Sequence, residues 1–442
     1  MSGGRFISMN KVRPGAYINF ETNAASRVVI GTRGIATIMF PLSWGDEKKI
    51  IELTSQDMAD GRSLAKIGLL TDDTDALVLN LALQNCRVLK IFNPLSGGVK
   101  AQATLGENGI TVTAKYPGTF GNKIAMVVKS MSNGKFSVET YANGYAVDVQ
   151  KVSNISELVA NEYVTFSSTG TLQAVSSTLL AEGTNGTRGE NVIDDYFNAL
   201  KLTKWNTMAH IEAADADKVI EFIRTMREDE GKYVQAVVAN VQDANYEGII
   251  NNVNGIVLND GTEVTALQFT AWVAGATAGA DIVESITGKV VPGAVSIIGL
   301  LGNNEIVDAL NAGKLVLSLN QEGNVKVEKD INSLHTFTTD KSYIFSKNRV
   351  IRELDEIGST IENIWETTYL GKVSNNENGR TLFKSSIIDY LTDLQNRGAI
   401  QDFDSSTVEV LAGEDIDTVI ASIVIKPVDS MEFLYLVVNV EQ

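Results

Sequence analysis

Cysteine is nearly absent from this chain: Cys86 is the single one in 442 residues, so no intrachain disulfide can staple the fold. Its neighbours Leu81, Leu83 and Val88 mark it as a buried structural thiol rather than a nucleophile, and folding in a reducing cytoplasm fits. Histidine is scarce too. Neither His210 nor His335 has a cysteine or carboxylate at metal-ligand spacing, which argues against a histidine-based zinc site. His210 lies in the strand-like Thr207-Met208-Ala209-His210-Ile211 and reads as a satisfied core or rim residue. Basic charge is outnumbered, 37 Lys and Arg against 54 Asp and Glu, and the net charge of −17 argues against nonspecific nucleic-acid binding. Long apolar runs are missing as well. The stretch 290–301 is too short for a membrane span and contains Pro292 and Gly293, and the first twenty residues lack the apolar core of a signal peptide.

Catalytic motifs are equally absent. There is no glycine-rich phosphate loop, no Gly-x-Gly-x-x-Gly after a strand and no Gly-x-Ser-x-Gly elbow, so neither an enzyme nor a cofactor is expected. The acidic pairs Asp194-Asp195, Glu353 with Asp355-Glu356, and Asp415 with Asp417 are expected to be solvated like charges on helix faces and loops. Asp215, Glu221, Arg224, Arg227 and Glu228 are likewise assigned to the exposed side of a helix.

With 44% hydrophobic residues the chain is globular and long enough for several cores. The fold class expected is a mixed α/β (α+β) one. Residues 26–96 and 184–345 alternate strand and helix signals, as a mainly parallel sheet requires: strands near 27–31, 35–40, 87–92, 207–211 and 233–241, a strand pair 314–319 with 325–329 around Gln321-Glu322-Gly323, and helices over 73–84, 191–201, 214–230, 266–277 and 304–312. Between them, residues 97–183 carry short strands punctuated by Ser132-Asn133-Gly134 and Asn143-Gly144, which reads as an inserted, protruding all-β domain with few contacts crossing its glycine-rich boundaries. Residues 346–442 form a C-terminal domain of two long helices, 347–372 and 380–398, an acidic linker 401–406 and a terminal hairpin. Its strands would be 419–425 and 431–440, apolar on both faces and in need of cover.

The two ends are opposite in charge. Residues 1–33 hold Arg5, Lys11, Arg13, Arg27 and Arg33 against Glu21, +4, whereas residues 401–442 hold nine acidic side chains against Lys426, −8. Termini of this kind suit contact between neighbouring copies of the chain.

Several motifs lie along the chain: Arg13-Pro14-Gly15-Ala16-Tyr17; Tyr116-Pro117-Gly118-Thr119-Phe120-Gly121-Asn122; and, in the last third, Asn348-Arg349-Val350-Ile351-Arg352-Glu353-Leu354-Asp355, Gly371-Lys372-Val373, Asn378-Gly379-Arg380, Tyr390-Leu391 and Gly398-Ala399-Ile400. Together they resemble those of the contractile tail sheath proteins of myophage-type tails and phage-like bacteriocins. Phe120 stands where the pattern often has Trp, and Ala16 where it has Val; both changes are mild. The resemblance implies a subunit made in the bacterial host cytoplasm for the tail of a phage or phage-like particle. It would form stacked hexameric rings around an inner tube protein, in contact with baseplate and tail terminator proteins and with neither membrane nor nucleic acid. It also implies arms that cross to neighbouring subunits and complete a small sheet in the C-terminal domain. The arm residues would be Arg13, Pro14, Gly15, Tyr17, Ile18 and Phe20 within an N-terminal arm of residues 1–25, and Phe433, Leu434, Tyr435, Leu436, Val437 and Val438 at the other end. Pro14-Gly15 and Asp402 to Ser406 would be hinges. Arg380 and Lys384, four apart on one helix face, would meet the tube. Two other readings stand beside it, a self-assembling shell or surface-layer protein and an α/β hydrolytic enzyme.

Overall fold

The computed structural model describes residues 33–59, 67–69, 73–132 and 134–441, with the backbone alone of Gly3–Gly4 and Ala16–Tyr17. Among these residues the central element is a seven-stranded sheet. Its strands are β1 (Ile35–Met39), β2 (Ile50–Thr54), β3 (Val88–Phe92), β4 (Thr207–Ala209), β5 (Gln235–Ala239), β6 (Ile249–Asn252) and β7 (Lys314–Leu315), side by side in the order β7-β6-β5-β4-β1-β3-β2. Neighbours run parallel except β2, which lies antiparallel to β3 at one edge. Successive side chains point to opposite faces. Ala36, Ile38, Leu89, Ile91 and Val237 enter one core, and Met39, Phe92, Met208, Ala236 and Val238 enter the other. Helices α1 (Thr74–Leu83) and α4 (Ala266–Gly279) cover the first face, α2 (Val192–Lys201) and α3 (Ala216–Glu228) the second, as a two-sided apolar sheet requires. A Cβ on Gly279 would come within 1.8 Å of the Asn85 carbonyl oxygen, so glycine is what lets α4 lie this close to the end of α1.

Between residues 97 and 183 the chain builds two antiparallel sheets. One holds Ile124–Ser130, Phe136–Ala142, Tyr145–Val152 and Val175–Leu179; the other holds Gln102–Thr104, Thr111–Ala114 and Val164–Phe166. They share a core of Val112, Met126, Val138, Tyr163 and their neighbours. Asn143 and Gly144, both at positive φ, make the tight turn of one hairpin. The boundary is not sparse. Trp44 of the α/β body is 1% exposed inside this core, with ring centroids 5.3 Å from those of Tyr116 and Phe120, and the Phe120 N–H donates to the Ser43 carbonyl at 3.2 Å. An aromatic plug therefore bridges the two bodies, because the segment Tyr116 to Phe120 packs on residues 43–44.

The last third contains α5 (Asn348–Ile364), continued by a wider turn Trp365–Tyr369, and α6 (Glu377–Asn396), followed by a strand pair β8 (Glu409–Ala412) and β9 (Val419–Ser422). Ile357, Ile364, Phe383, Ile387, Leu391 and Leu394 form its core, joined by Ile282 from the α/β body. Cys86 is buried, and that burial pushes its thiol up to about 12. His210 is also buried, with its Nε2 2.7 Å from the Ala214 carbonyl oxygen, and burial lowers its pKa, which favours the neutral imidazole. Among the described residues no helix is long and apolar enough to cross a membrane.

Candidate assembly surface

The first two turns of α5 carry a charged face that is buried. Arg349, Arg352, Glu353, Asp355 and Glu356 are all 8% exposed or less. Arg227, from α3, forms a two-pronged pair with Asp355 at 2.9 and 2.7 Å and also donates to the Val234 carbonyl. Burial opposes its charge, but Asp355 outweighs that and raises its pKa. Arg352 is fully buried and donates through Nη2 to Asp330 at 2.8 Å and to the Glu284 carbonyl at 2.6 Å. Asp330 accepts in addition from the Ile286 N–H and the Asn348 side-chain amide. Arg33 joins the cluster: burial lowers its pKa, with Arg352 adding to the effect and Asp355, Glu356 and Asp281 opposing it.

Two expectations are corrected here. Arg227 is not on the exposed side of its helix, and Glu353, Asp355 and Glu356 are not solvated. The local pattern of α5 is strongly amphipathic, and read locally its charged face belongs to water. What meets that face instead is the α/β body, which brings Arg33, Arg227 and Asp330 from segments far away in the chain. The sequence marked Arg352 within a motif but gave no sign of its partner Asp330, because no short-range signal marks such a meeting.

Glu353 has an unusual titration. Burial pushes its carboxyl up to about 8, against the pull of Arg349. The folded chain thus holds this proton more tightly than the unfolded one, so stability should fall as pH rises from about 4.5 toward 8 and level off above. Glu353→Gln should match the native chain at pH 4.5 and melt at a higher temperature than it does at pH 9. Thermal unfolding across that range checks this; an offset independent of pH counts against it.

The chain after α6 does not form the expected terminal hairpin. β9 pairs antiparallel with β8, from Glu409 opposite Ser422 to Ala412 opposite Val419. Residues 431–440 have no strand partner among the described residues. The cause lies in the connecting segment. Val428 donates to the Ala399 carbonyl and Gln401 to the Lys426 carbonyl, which ties 426–428 to the end of α6, and the next residues run on to Lys347 at the start of α5. Lys426-Pro427-Val428-Asp429-Ser430 is therefore a tether and not a hairpin turn. Beyond it every large apolar side chain from Phe433 to Val440 is exposed, Phe433 at 69% and Tyr435 at 92%. An open hollow of about 700 Å3 lies between α5, Phe383 and the inner side of β9, lined by Ile361, Trp365, Val419 and Ile423 among others.

Of the other predicted site residues, Arg13, Pro14, Gly15, Ile18 and Phe20 lie outside the described residues, as does the expected strand 27–31. Tyr17 is described by backbone only, where Gly3–Gly4 and Ala16–Tyr17 pair in parallel. Arg380 and Lys384 are half-buried on α6. The Arg380 guanidinium donates to the Asn375 side-chain oxygen at 2.8 Å, and the Asn375 amide donates to the Ile416 and Thr418 carbonyls, so Arg380 braces the loop between β8 and β9.

Family descriptions match most of this architecture in chain order: the phage tail sheath protein beta-sandwich domain at residues 96–185, the central domain at 186–333 and the phage tail sheath C-terminal domain at 340–441. The chain belongs to the contractile phage tail sheath family, whose members are structural proteins and not enzymes. It is 34% identical over 473 aligned residues to the phage-like element PBSX protein XkdK of Bacillus subtilis, with both chains covered in full. Among solved structures it resembles the sheath tail protein of Desulfitobacterium hafniense, at 38% identity and TM-score 0.79, covering 95% of this chain and 98% of that one. The sheath tail protein of Listeria innocua is 34% identical at TM-score 0.81, covering 92% and 95%. The anti-feeding prophage helical sheath in its contracted state shares the fold alone, at 13% identity and TM-score 0.58 over 96% and 98%. The hydrolase and shell readings are set aside.

Proposed function

We propose that this chain polymerises as stacked hexameric rings around an inner tube, between baseplate and terminator, and that the sheath shortens to drive the tube through a target cell envelope. One observation carries the reading: an extended segment of apolar side chains, 433–440, exposed and outside the four apolar cores of the subunit. A segment like this is suited to strand addition, in which main-chain hydrogen bonds join a neighbour's sheet and side chains fill pockets on both faces. The β8–β9 pair of a neighbouring subunit, two strands with no third strand beside them among the described residues, is the acceptor in this reading. Such head-to-tail contacts build rings or helices rather than closed dimers. The likeness to a helical sheath in a contracted state supports the same picture.

The domain map in this proposal is the arm 1–25, the α/β body 26–96 with 184–345, the protruding β domain 97–183 and the sheath domain 346–442. Rigid-body motion of these domains, with the arms keeping subunits joined, would change the length of the assembly. Pro14-Gly15 and Asp402 to Ser406 are the hinges; Asp402 has left-handed backbone at φ 52°. Negative-stain electron microscopy of the purified protein should show hollow striated tubes. A chain that stays monomeric at high concentration and with tube protein added would overturn the reading.

Arg380 and Lys384 are proposed to face the tube. Because Arg380 also braces Asn375, Lys384→Glu is the cleaner variant. It should weaken assembly on tubes severalfold while leaving the unfolding temperature unchanged, as read by pelleting and calorimetry. Unaltered pelleting removes this helix face from the tube contact.

A further inference from the structure

The proposed arm has a weakness as a strand: it is apolar on both faces. Phe433, Tyr435 and Val437 alternate with Leu434, Leu436, Val438 and Val440, so a slip of one residue exchanges one apolar set for another. Register is sharply specified where one face is apolar and the other polar, and weakly where both are alike. Something outside the strand must set the register.

Glu432, the residue before the arm, is placed to do so. Its side chain is 6% exposed, in contrast to every large apolar side chain that follows. One carboxylate oxygen pairs with Lys347 Nζ, itself 6% exposed, and the other accepts from Thr287 Oγ1 at 2.8 Å. Asp429 supports the same ammonium at 3.2 Å. Burial opposes the charge on Lys347, and Glu432 and Asp429 more than offset it, so the ammonium keeps its charge. The seat is rigid on both sides. Lys347 immediately precedes α5 and its backbone bridges Ile331, while Thr287 Oγ1 also accepts from the Asp330 N–H, and Asp330 holds Arg352. Glu432 is thereby tied to the polar joint between the α/β body and α5. Phe433 rests with its ring centroid 5.4 Å from Lys329 Nζ, whose ammonium also bonds the Tyr343 hydroxyl at 2.8 Å, and this gives the chain its direction as it leaves.

We propose that Glu432, seated between Lys347 and Thr287, is the anchor that fixes the register with which residues 433–440 pair with a second copy of this chain. It is a positioning residue, and the inference rests on the strand-addition reading above. The anchor converts a strand with no register of its own into one counted from a fixed point, and a buried ion pair with a directional hydrogen bond supplies the selectivity that apolar contacts lack.

The test uses the full-length chain and four variants. Glu432→Gln keeps the shape and the hydrogen bond to Thr287 but removes the charge; Glu432→Ala removes both. A third variant inserts one serine between Glu432 and Phe433, and a fourth deletes 433–442. Thermal unfolding first establishes that each is folded. Glu432→Ala should raise the concentration needed for polymerisation by about tenfold, which corresponds to about 1.4 kcal/mol, and give short, irregular tubes. Glu432→Gln should lie between it and the native chain. The single insertion leaves the anchor intact and shifts the strand by one, so it should impair assembly at least as much as Glu432→Ala. If the deletion abolishes tubes while the insertion and both substitutions assemble as the native chain does, the arm is real and the anchor proposal is wrong. If the deletion itself has no effect, the strand-addition reading fails and this inference fails with it.

Discussion

Removal of residues 433–442 is expected to leave a folded subunit that no longer forms tubes. The segment lies outside the four apolar cores and its large side chains are exposed, so the isolated subunit gains little from it. In an assembly the same residues would be covered. Phe433, Leu434, Tyr435, Leu436, Val437, Val438 and Val440 would each contribute about 1.5–3 kcal/mol on full burial, before the ordering of the strand is subtracted. Even a fraction of that sum separates polymer from monomer at any practical concentration. Removal of residues 1–20 should have the same phenotype if the basic N-terminal arm is the second partner in the pairing. High salt should slow assembly without abolishing it, because it screens the attraction between termini of +4 and −8 but leaves apolar strand pairing intact. The checks are sedimentation and negative-stain microscopy beside a melting curve. Striated tubes of normal length from either truncated chain would sink the cross-subunit strand model.

Arg352→Ala is expected to destabilise the subunit by about 3–5 kcal/mol, the usual consequence of leaving one member of a buried pair without its partner. Arg352 is fully buried and Asp330 is 2% exposed, and Asp330 would be left with amide donors but no compensating charge. Replacing both, as Arg352→Met with Asp330→Asn, should recover much of the loss, since an apolar chain of similar length fills the space and the amide can still meet the Asn348 side chain. A urea titration followed by tryptophan fluorescence reads both results. A single variant within 1 kcal/mol of native would mean that the ion pair does not hold α5 to the α/β body.

The elements of this protein were legible wherever one period of apolar residues ran uninterrupted. The helices 74–83, 192–201, 216–228, 266–279 and 303–311, and the parallel strands at 35–39, 88–92, 207–209 and 235–239, lie where the alternation of signals put them, and the hairpin of Leu317–Leu319 with Val325–Val327 lies across its turn residues. Strands without a clean alternation escaped notice. Ile249–Asn252 ends in two buried asparagines whose amides are held by the backbone carbonyls of Val241, Asn254 and Ala266, a satisfaction that an apolar-polar alternation does not record. Family membership was legible too, because it rests on side chains strung along the chain in order, and that order survives whatever they touch.

The candidate site divides along the same line. Composition alone established that the C-terminal segment needs cover, since seven large apolar side chains in eight positions cannot be stable in water. Which strand it pairs with was beyond the sequence: β-branched and aromatic residues record a preference for extended backbone, not a partner, and the tether at Val428 and Glu432 draws 431–440 away from β9, leaving Glu409–Ala412 to pair with it. The charged face of α5 makes the same point for ion pairs. Periodicity identified the helix and its two faces, but whether a charged face meets water or meets Arg227, Asp330 and Arg33 depends on how distant elements pack. Charge interactions inside a fold are set by spatial proximity, and only the tertiary structure supplies it.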